Sequence, residues 1–191
     1  MARALAIALL LSGSGVAMPR SPLTGVRGEV SVQEQSDGGV YEIEGSFGLD
    51  ARVSGDVVWG VLSDYDHLGR FISSLKESEV KRRLPHEVLL EQEGAGKGLL
   101  ALEPFRVLLD VREKPTREID FTDILHRDFD VYEGSWRLRE RPDGWRVSYR
   151  LRAKPRWALP GFIGKPAFAS GAADLLAELR AEIVRRSGLT N

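Results

Sequence analysis

The chain has 191 residues, 42% of them apolar, with no cysteine and with 27 basic against 28 acidic side chains. The lack of cysteine excludes disulfides, thiolate metal sites, thiol nucleophiles and a lipid-modified anchor cysteine. A formal net charge of −1 gives no electrostatic reason for a nucleic-acid partner, and none is expected.

The first residues, MARALAIALLLSGSGVA, place Arg3 before an apolar run from Leu5 to Leu11 and end in small residues at Gly15, Val16 and Ala17. This layout predicts a signal peptide over residues 1–17, and with it export to a periplasm or out of the cell. A retained anchor is the alternative, but a span needs about 20 predominantly apolar residues and SGSG interrupts this one. Taking 17 residues from 191 leaves 174, which suits one domain with a sizeable core. Residues 18–39 carry Pro19, Pro22, Gly25, Gly28 and SDGG without sustained periodicity, which predicts a flexible lead-in and a turn.

The domain itself is expected over residues 40–187. Tyr41 and Ile43 alternate with Glu42 and Glu44, the period of a half-buried strand. Ser54 offers a helix N-cap, with Asp56 in the first turn where the helix dipole favours a negative charge. Val58, Val61, Leu62 and Tyr65 then recur at helical spacing, as do Leu68, Phe71, Ile72 and Leu75. Two short amphipathic helices are therefore expected to meet at Asp64-Tyr65-Asp66-His67. That tetrapeptide invites a metal or acid/base reading. On a helix, however, positions i and i+2 lie about 200° apart, so the two carboxylates diverge, and a tight metal site needs at least three ligands. The structural alternative has Asp64 ending the first helix, Tyr65 burying its ring while its hydroxyl finds a partner, and His67 lying near the surface. No metal and no cofactor are expected.

After Leu75 the period changes to two. SEVKRRL, HEVLLEQE, LEPFRVLLDVREK, REIDFTDI, DVYEGSWRLRE and WRVSYRLRAK read as six strands, seven with the first, and Arg141-Pro142-Asp143-Gly144 joins the last two. GAGKG lacks the helix and the serine or threonine of a phosphate loop and is read as a hairpin loop. His86 and His126 fall at strand ends without the spacing of a catalytic triad. Side chains alternate across a sheet, so parity sorts the faces. Phe105, Val107, Leu109 and Val111, Ile119 and Phe121, Tyr132, Trp136 and Leu138, and Trp145, Val147, Tyr149 and Leu151 make a dry face; Arg106, Asp110, Glu118, Asp120, Glu133, Arg137, Arg139, Arg146, Arg150 and Arg152 make a wet one. The basic series from Arg137 to Arg156 is expected to pair with acids across the wet strands, with docking on an anionic membrane as the alternative.

The dry face needs a cover, and the segment from Phe162 to Arg186 supplies one. Its second half carries Leu175, Leu176, Leu179, Ile183 and Val184 at helical spacing, whereas its first half, KPAFASGAA, has little volume. Small residues opposite large aromatics either bring helix and sheet close together or leave an apolar hollow. The candidate lining of that hollow is Phe105, Val107, Leu109, Ile119, Phe121, Tyr132, Trp136, Leu138, Trp145, Val147 and Tyr149 from the sheet, with Phe162, Phe168 and Ala172 from the helix. Trp157, Phe162 and Phe168 flank Pro160 and are candidates for transient contact with a membrane surface.

VWGVLSDYDHLGRFISSLKESEV, the strand Gly134-Ser135-Trp136-Arg137-Leu138, the link from Lys154-Pro155 to Leu159-Pro160 and the long last helix together resemble the START-like (helix-grip, Bet v 1-like) superfamily. Within it the likeness is to the polyketide cyclase/dehydrase and coenzyme-Q-binding group, over roughly residues 40 to 186. The resemblance implies an α+β helix-grip fold: a seven-stranded curled antiparallel sheet, two short helices after its first strand, and a long C-terminal helix over a hydrophobic cavity. It also implies a hydrophobic ligand such as a lipid, sterol, quinone or polyketide. The expected function is an exported, non-enzymatic binding or carrier protein. A cyclase or dehydrase is the alternative, with Tyr132 and Tyr149 as the inward phenols and no carboxylate on their face; a third reading is an interaction domain using the wet face. Oligomeric state is left open.

Overall fold

A computed structural model describes residues 29–34, 39–95, 104–157 and 161–189. The expected signal peptide, most of the lead-in, the tip of the glycine-rich loop and the Leu159-Pro160 link lie outside the described residues.

Chain order is β1 (Glu29–Glu34), β2 (Tyr41–Asp50), α1 (Gly55–Leu62), a 3-10 helix (Tyr65–Arg70), β3 (Leu75–Arg83), β4 (Glu87–Ala95), β5 (Pro104–Lys114), β6 (Glu118–Asp123), β7 (Phe129–Arg141), β8 (Gly144–Pro155) and α2 (Gly161–Arg186). The strands form one eight-stranded sheet in the order β1-β2-β8-β7-β6-β5-β4-β3, with every neighbouring pair antiparallel. Register shifts at Leu75/Glu77 and Val80/Arg82 in the β3–β4 pair, and at Phe129/Val131 in the β7–β8 pair, bend the strands and increase their twist. The α+β helix-grip architecture is as expected, with one strand more than the seven counted. The additional strand is β1, which pairs with β2 from Glu29↔Ser46 to Glu34↔Tyr41. Its six residues hold only Val30 and Val32 as inward apolar groups, both half-buried, so its alternation is too short to distinguish from a lead-in.

Local chemistry explains the helices. The Ser54 side chain accepts from the Val57 N–H at 3.3 Å and Asp56 sits in the first turn of α1. Val58, Val61 and Leu62 are its buried face. The second short helix is a 3-10 turn at Tyr65–Arg70, earlier than the apolar spacing suggests, and Leu75 already belongs to β3. The Asp66 carboxylate accepts from the Val80 N–H of β3 at 2.8 Å, tying the turn to the strand instead of capping an α-helix. Each member of Asp64-Tyr65-Asp66-His67 has a structural partner. His67 Nδ1 lies 2.7 Å from Asp64 Oδ1, Arg186 donates to Asp64 Oδ2 at 2.8 Å, and the buried Tyr65 hydroxyl donates to Glu113 at 2.7 Å.

Helix α2 lies across β2 and β1 and touches α1. Its Leu176, Leu179 and Ile183 are buried against the sheet. Close approach at its start depends on Gly164, where a Cβ would collide with the Tyr41 ring and hydroxyl. The β7–β8 turn depends on Gly144, at φ +134, where a Cβ would strike the Leu49 carbonyl.

The end of α2 is clamped by charge. Arg185 and Arg186 both donate to Glu182, at 2.7 and 2.6 Å, while Arg186 also reaches Asp64. The Arg185 hydrogen bond, with Arg186 adding to it, outweighs burial and holds the Glu182 carboxyl at about 2, below its ordinary 4.5. Burial alone would raise the Asp64 carboxyl, but hydrogen bonds from His67 and Arg186 leave it below its usual range. A carboxyl lowered in the folded state adds stability above its unfolded pKa and loses that contribution as pH falls through the folded value. The melting temperature is therefore expected to fall as pH drops from about 5 to about 2, and Glu182→Gln to flatten that slope, as read by calorimetry. An unchanged slope would place the acid sensitivity elsewhere.

Candidate functional site: an apolar cavity between sheet and helix

The curl of the sheet separates β5–β8 from the first half of α2, and the small residues of that half leave the space unfilled. An outer lobe of about 140 Å³ is lined by Phe105, Phe129, Tyr132, Tyr149, Leu151 and Trp157 from the sheet side and by Ala167, Phe168, Gly171, Ala172 and Leu175 from α2, with Ser170 and Asp174 also lining it. An inner lobe of about 130 Å³ lies among Leu62, Tyr65, Leu68, Ile72, Leu90, Gln92, Leu109, Ile119, Phe121 and Trp136. Ser74, Phe105, Tyr132, Tyr149 and Leu175 border both lobes, forming a waist between them.

Aromatic rings build the wall. Phe129 meets Tyr132 at 4.8 Å, Trp157 at 5.2 Å and Phe105 at 5.7 Å between ring centroids. Trp136 lies on Tyr149 at 4.4 Å, and Tyr41 meets Phe168 at 4.6 Å. Among the described residues that line the two lobes, Asp174 is the only charged one.

Two hydroxyls stand out. Those of Tyr132 and Tyr149 have no hydrogen-bond partner among the described residues, yet no buried side-chain polar atom there is both sealed from solvent-sized space and unpaired. Tyr149 is 5% exposed, so the space its hydroxyl reaches is the cavity. Burial, with the Asp123 carboxylate adding to it, pushes the Tyr132 phenol up to about 12; burial, then the proximity of Tyr132, raises that of Tyr149 as well. Both are therefore neutral donors at ordinary pH.

Of the sequence-derived lining, Phe105, Leu109, Ile119, Phe121, Tyr132, Trp136, Tyr149, Phe168 and Ala172 border one lobe or the other. Val107, Leu138 and Val147 share their face but are packed into solid core. Trp145 lies at the far end of β8, against Gly55 at the start of α1. Phe162 is 82% exposed. Parity identifies the face on which a side chain lies, not its distance from the hollow. Residues from β2, α1, the 3-10 turn and β4 enter the lining unforeseen, although Val88-Leu89-Leu90-Glu91-Gln92 alternates clearly and would have placed Leu90 and Gln92 inward. The expectation that no carboxylate shares the dry face is corrected. Asp123 continues the parity of Ile119 and Phe121 and is 0% exposed. It accepts from the backbone N–H groups of Leu108, Leu125 and His126, each at 3.0 Å, and so shapes the β6–β7 loop.

The wet face behaves as an ion-paired surface. Arg137 reaches Asp120 at 2.8 Å, Arg150 reaches Glu44 at 3.0 Å, Arg152 reaches Glu133 at 2.5 Å, and Arg156 reaches Asp130 at 3.0 Å. At the cavity's end of the sheet, by contrast, Ile124 and Leu125 in the β6–β7 loop and Phe162 at the start of α2 are exposed. Among the described residues no cluster of three or more His, Asp or Glu is placed to hold a metal, and no helix is long and apolar enough to cross a membrane.

A curled, one-sided antiparallel sheet gripping a C-terminal helix around an apolar cavity defines a START-like, helix-grip protein. The chain belongs to the polyketide cyclase/dehydrase and lipid transport family, which its residues 52–180 match. The fold is similar to that of a STAR-related lipid transfer protein fragment from Xanthomonas axonopodis, at 17% identity and a TM-score of 0.70 over 83% of this chain and 94% of that one. It is likewise similar to the Zhui aromatase/cyclase from Streptomyces sp. R1128 (15% identity, TM-score 0.65, 77% and 95% covered). Human STARD10 is a third likeness, at 12% identity and a TM-score of 0.64 over 82% of this chain and 73% of that one. No curated protein sequence matches the chain.

Proposed function

We propose that this protein is an exported, non-enzymatic carrier for a hydrophobic small molecule or lipid. The observation that carries the reading is the two-lobed apolar cavity, among whose described lining residues no acid and base converge. Its phenols are held neutral, and two carboxylates buried near it are engaged, Asp123 by backbone N–H groups and Glu113 by the Tyr65 hydroxyl. General acid/base catalysis needs an acid and a base within reach of the substrate, and the described lining residues include one charged group, Asp174, and no His, Lys or Arg. The layout of residues 1–17 supports export. Exposed Phe162, Ile124 and Leu125 at the cavity's end of the sheet support loading from a membrane surface, where apolar side chains partition readily.

The test begins with native protein purified without detergent, extracted with organic solvent and analysed by mass spectrometry, in parallel with its secreted and cytosolic fractions. Delipidated protein is then incubated with vesicles, re-isolated and extracted again. The reading expects a stoichiometric apolar compound in the exported protein and its recovery from vesicles that contain it. An empty protein that takes up nothing would overturn the carrier, and a precursor confined to the cytosol would overturn export.

A further inference from the structure

The chain from Asp64 to Ile72 divides its side chains between two hollows. Tyr65, Leu68 and Ile72 line the inner lobe of the cavity, whereas Asp64, His67, Arg70 and Phe71 line a separate surface hollow of about 350 Å³, closed on its other side by Glu182, Arg185 and Arg186 of α2. Both acids there are already engaged. Arg186 donates to Asp64 at 2.8 Å and to Glu182 at 2.6 Å, Arg185 donates to Glu182 twice at 2.7 Å, and His67 Nδ1 lies 2.7 Å from Asp64. The Arg186 guanidinium also lies 5.5 Å above the Phe71 ring, which helps to fix it. Arg70 is left over: it is exposed, and its guanidinium has no hydrogen bond or ion pair to a described residue. With His67 neutral, the arginines exceed the carboxylates by one, and no described residue balances that charge.

We propose that this hollow between the 3-10 turn and the end of α2 binds a phosphate group, free or carried by a phosphomonoester. Arginine presents its donors as a planar fork that fits phosphate bidentately. Arg70 brings a fork that nothing else uses, while Arg185 and Arg186, each held by a carboxylate, retain N–H groups beyond those engaged. Arginines fixed in this way lose little further side-chain freedom when a ligand binds. Asp64 and Glu182 repel an anion, but Arg185 and Arg186 already meet their charge, so the net attraction is that of Arg70. Salt screens a surface site of this kind, which favours a dianion over a monoanion such as chloride. The site lies outside the apolar cavity and does not depend on the carrier reading.

Full-length protein is melted in increasing inorganic phosphate and, at equal ionic strength, in chloride. Phosphate is expected to raise the melting temperature with the logarithm of its concentration, by about 4 °C or more at roughly twentyfold over its dissociation constant, and chloride to have no comparable effect. Arg70 holds no other described side chain in place, so Arg70→Gln is expected to melt like the unaltered chain in chloride. It is expected to bind phosphate about tenfold more weakly or worse, the loss of one charge-assisted contact. Arg139→Gln removes an exposed arginine of the wet face that also lacks a described partner, and is expected to keep the full response. A second arm uses phosphatidylcholine vesicles with and without phosphatidic acid. Arg70-dependent co-sedimentation with phosphatidic acid assigns the phosphate to a lipid headgroup, and a response confined to inorganic phosphate assigns it to a soluble compound. Three results would each overturn the inference: no phosphate response beyond that of chloride together with no Arg70-dependent vesicle binding, a response that survives Arg70→Gln, or one that is lost in Arg139→Gln.

Discussion

Gly171→Trp is expected to close the cavity, weakening any apolar probe by about 100-fold or more, or 2.7 kcal/mol, while the protein stays folded. Gly171 lines the outer lobe from α2, and a Cβ built there meets nothing within 4 Å. The backbone therefore accepts a side chain without strain, and replacing glycine inside a helix removes an intrinsic penalty of up to about 1 kcal/mol. Gly171 is itself exposed at the rim of the outer lobe, so the indole is expected to fold over the mouth of the lobe, the apolar surface nearest to it. Probe titration measures the loss, and a thermal melt no lower than that of the unaltered chain shows that packing survived. A folded Gly171→Trp protein that binds as before would mean that the outer lobe is neither the route nor the seat of the ligand.

Asp123→Ala is expected to be the most destabilising single change at the cavity, costing about 3–5 kcal/mol by summing over the buried donors it strands. The carboxylate is fully buried and takes the N–H groups of Leu108, Leu125 and His126. The last of these belongs to a residue at φ 49, a left-handed conformation that a non-glycine residue adopts only when held there. Asp123→Asn keeps an acceptor for Leu108 and Leu125 but turns an NH₂ toward His126, so an intermediate loss is expected. Chemical denaturation gives both values. If the two variants were as stable as the unaltered chain, the β6–β7 loop would not depend on this carboxylate. Because that loop adjoins Phe129 and carries Ile124 and Leu125, its loosening is expected to affect uptake from vesicles as well as stability.

The two aspartates that matter most were unequally legible. Asp64-Tyr65-Asp66-His67 has an evident local meaning, since helical geometry alone separates its carboxylates; its partners Arg186, Glu113 and Val80 are 122, 48 and 14 residues away and are joined to it only by folding. Asp123 sits at the end of a strand, where parity places it inward, but a lone carboxylate closing REIDFTD reads as the start of a turn. Its burial follows from the β5–β6 pairing, which brings the Leu108 N–H to it. Strand β1 was illegible for a related reason: a short edge strand has too few apolar positions to carry a period, and its identity comes from the ten-residue β2 beside it.

What the amino-acid order determined by itself is periodicity and therefore facing: seven of the eight strands, the capped helix α1, the long last helix, and the split between a dry aromatic face and an ion-paired one. These are properties of neighbours in the chain, set by sterics and by alternation every two or 3.6 residues. Only the tertiary structure decided where along the dry face the protein is hollow. Val107 and Val147 share that face with Phe105 and Tyr149, yet the first two are packed and the second two border the cavity. The difference depends on how far the sheet curls and where α2 crosses it. Both are set by long-range packing, with Gly164 seated on Tyr41 at one end and the Asp64–Arg186–Glu182 clamp at the other.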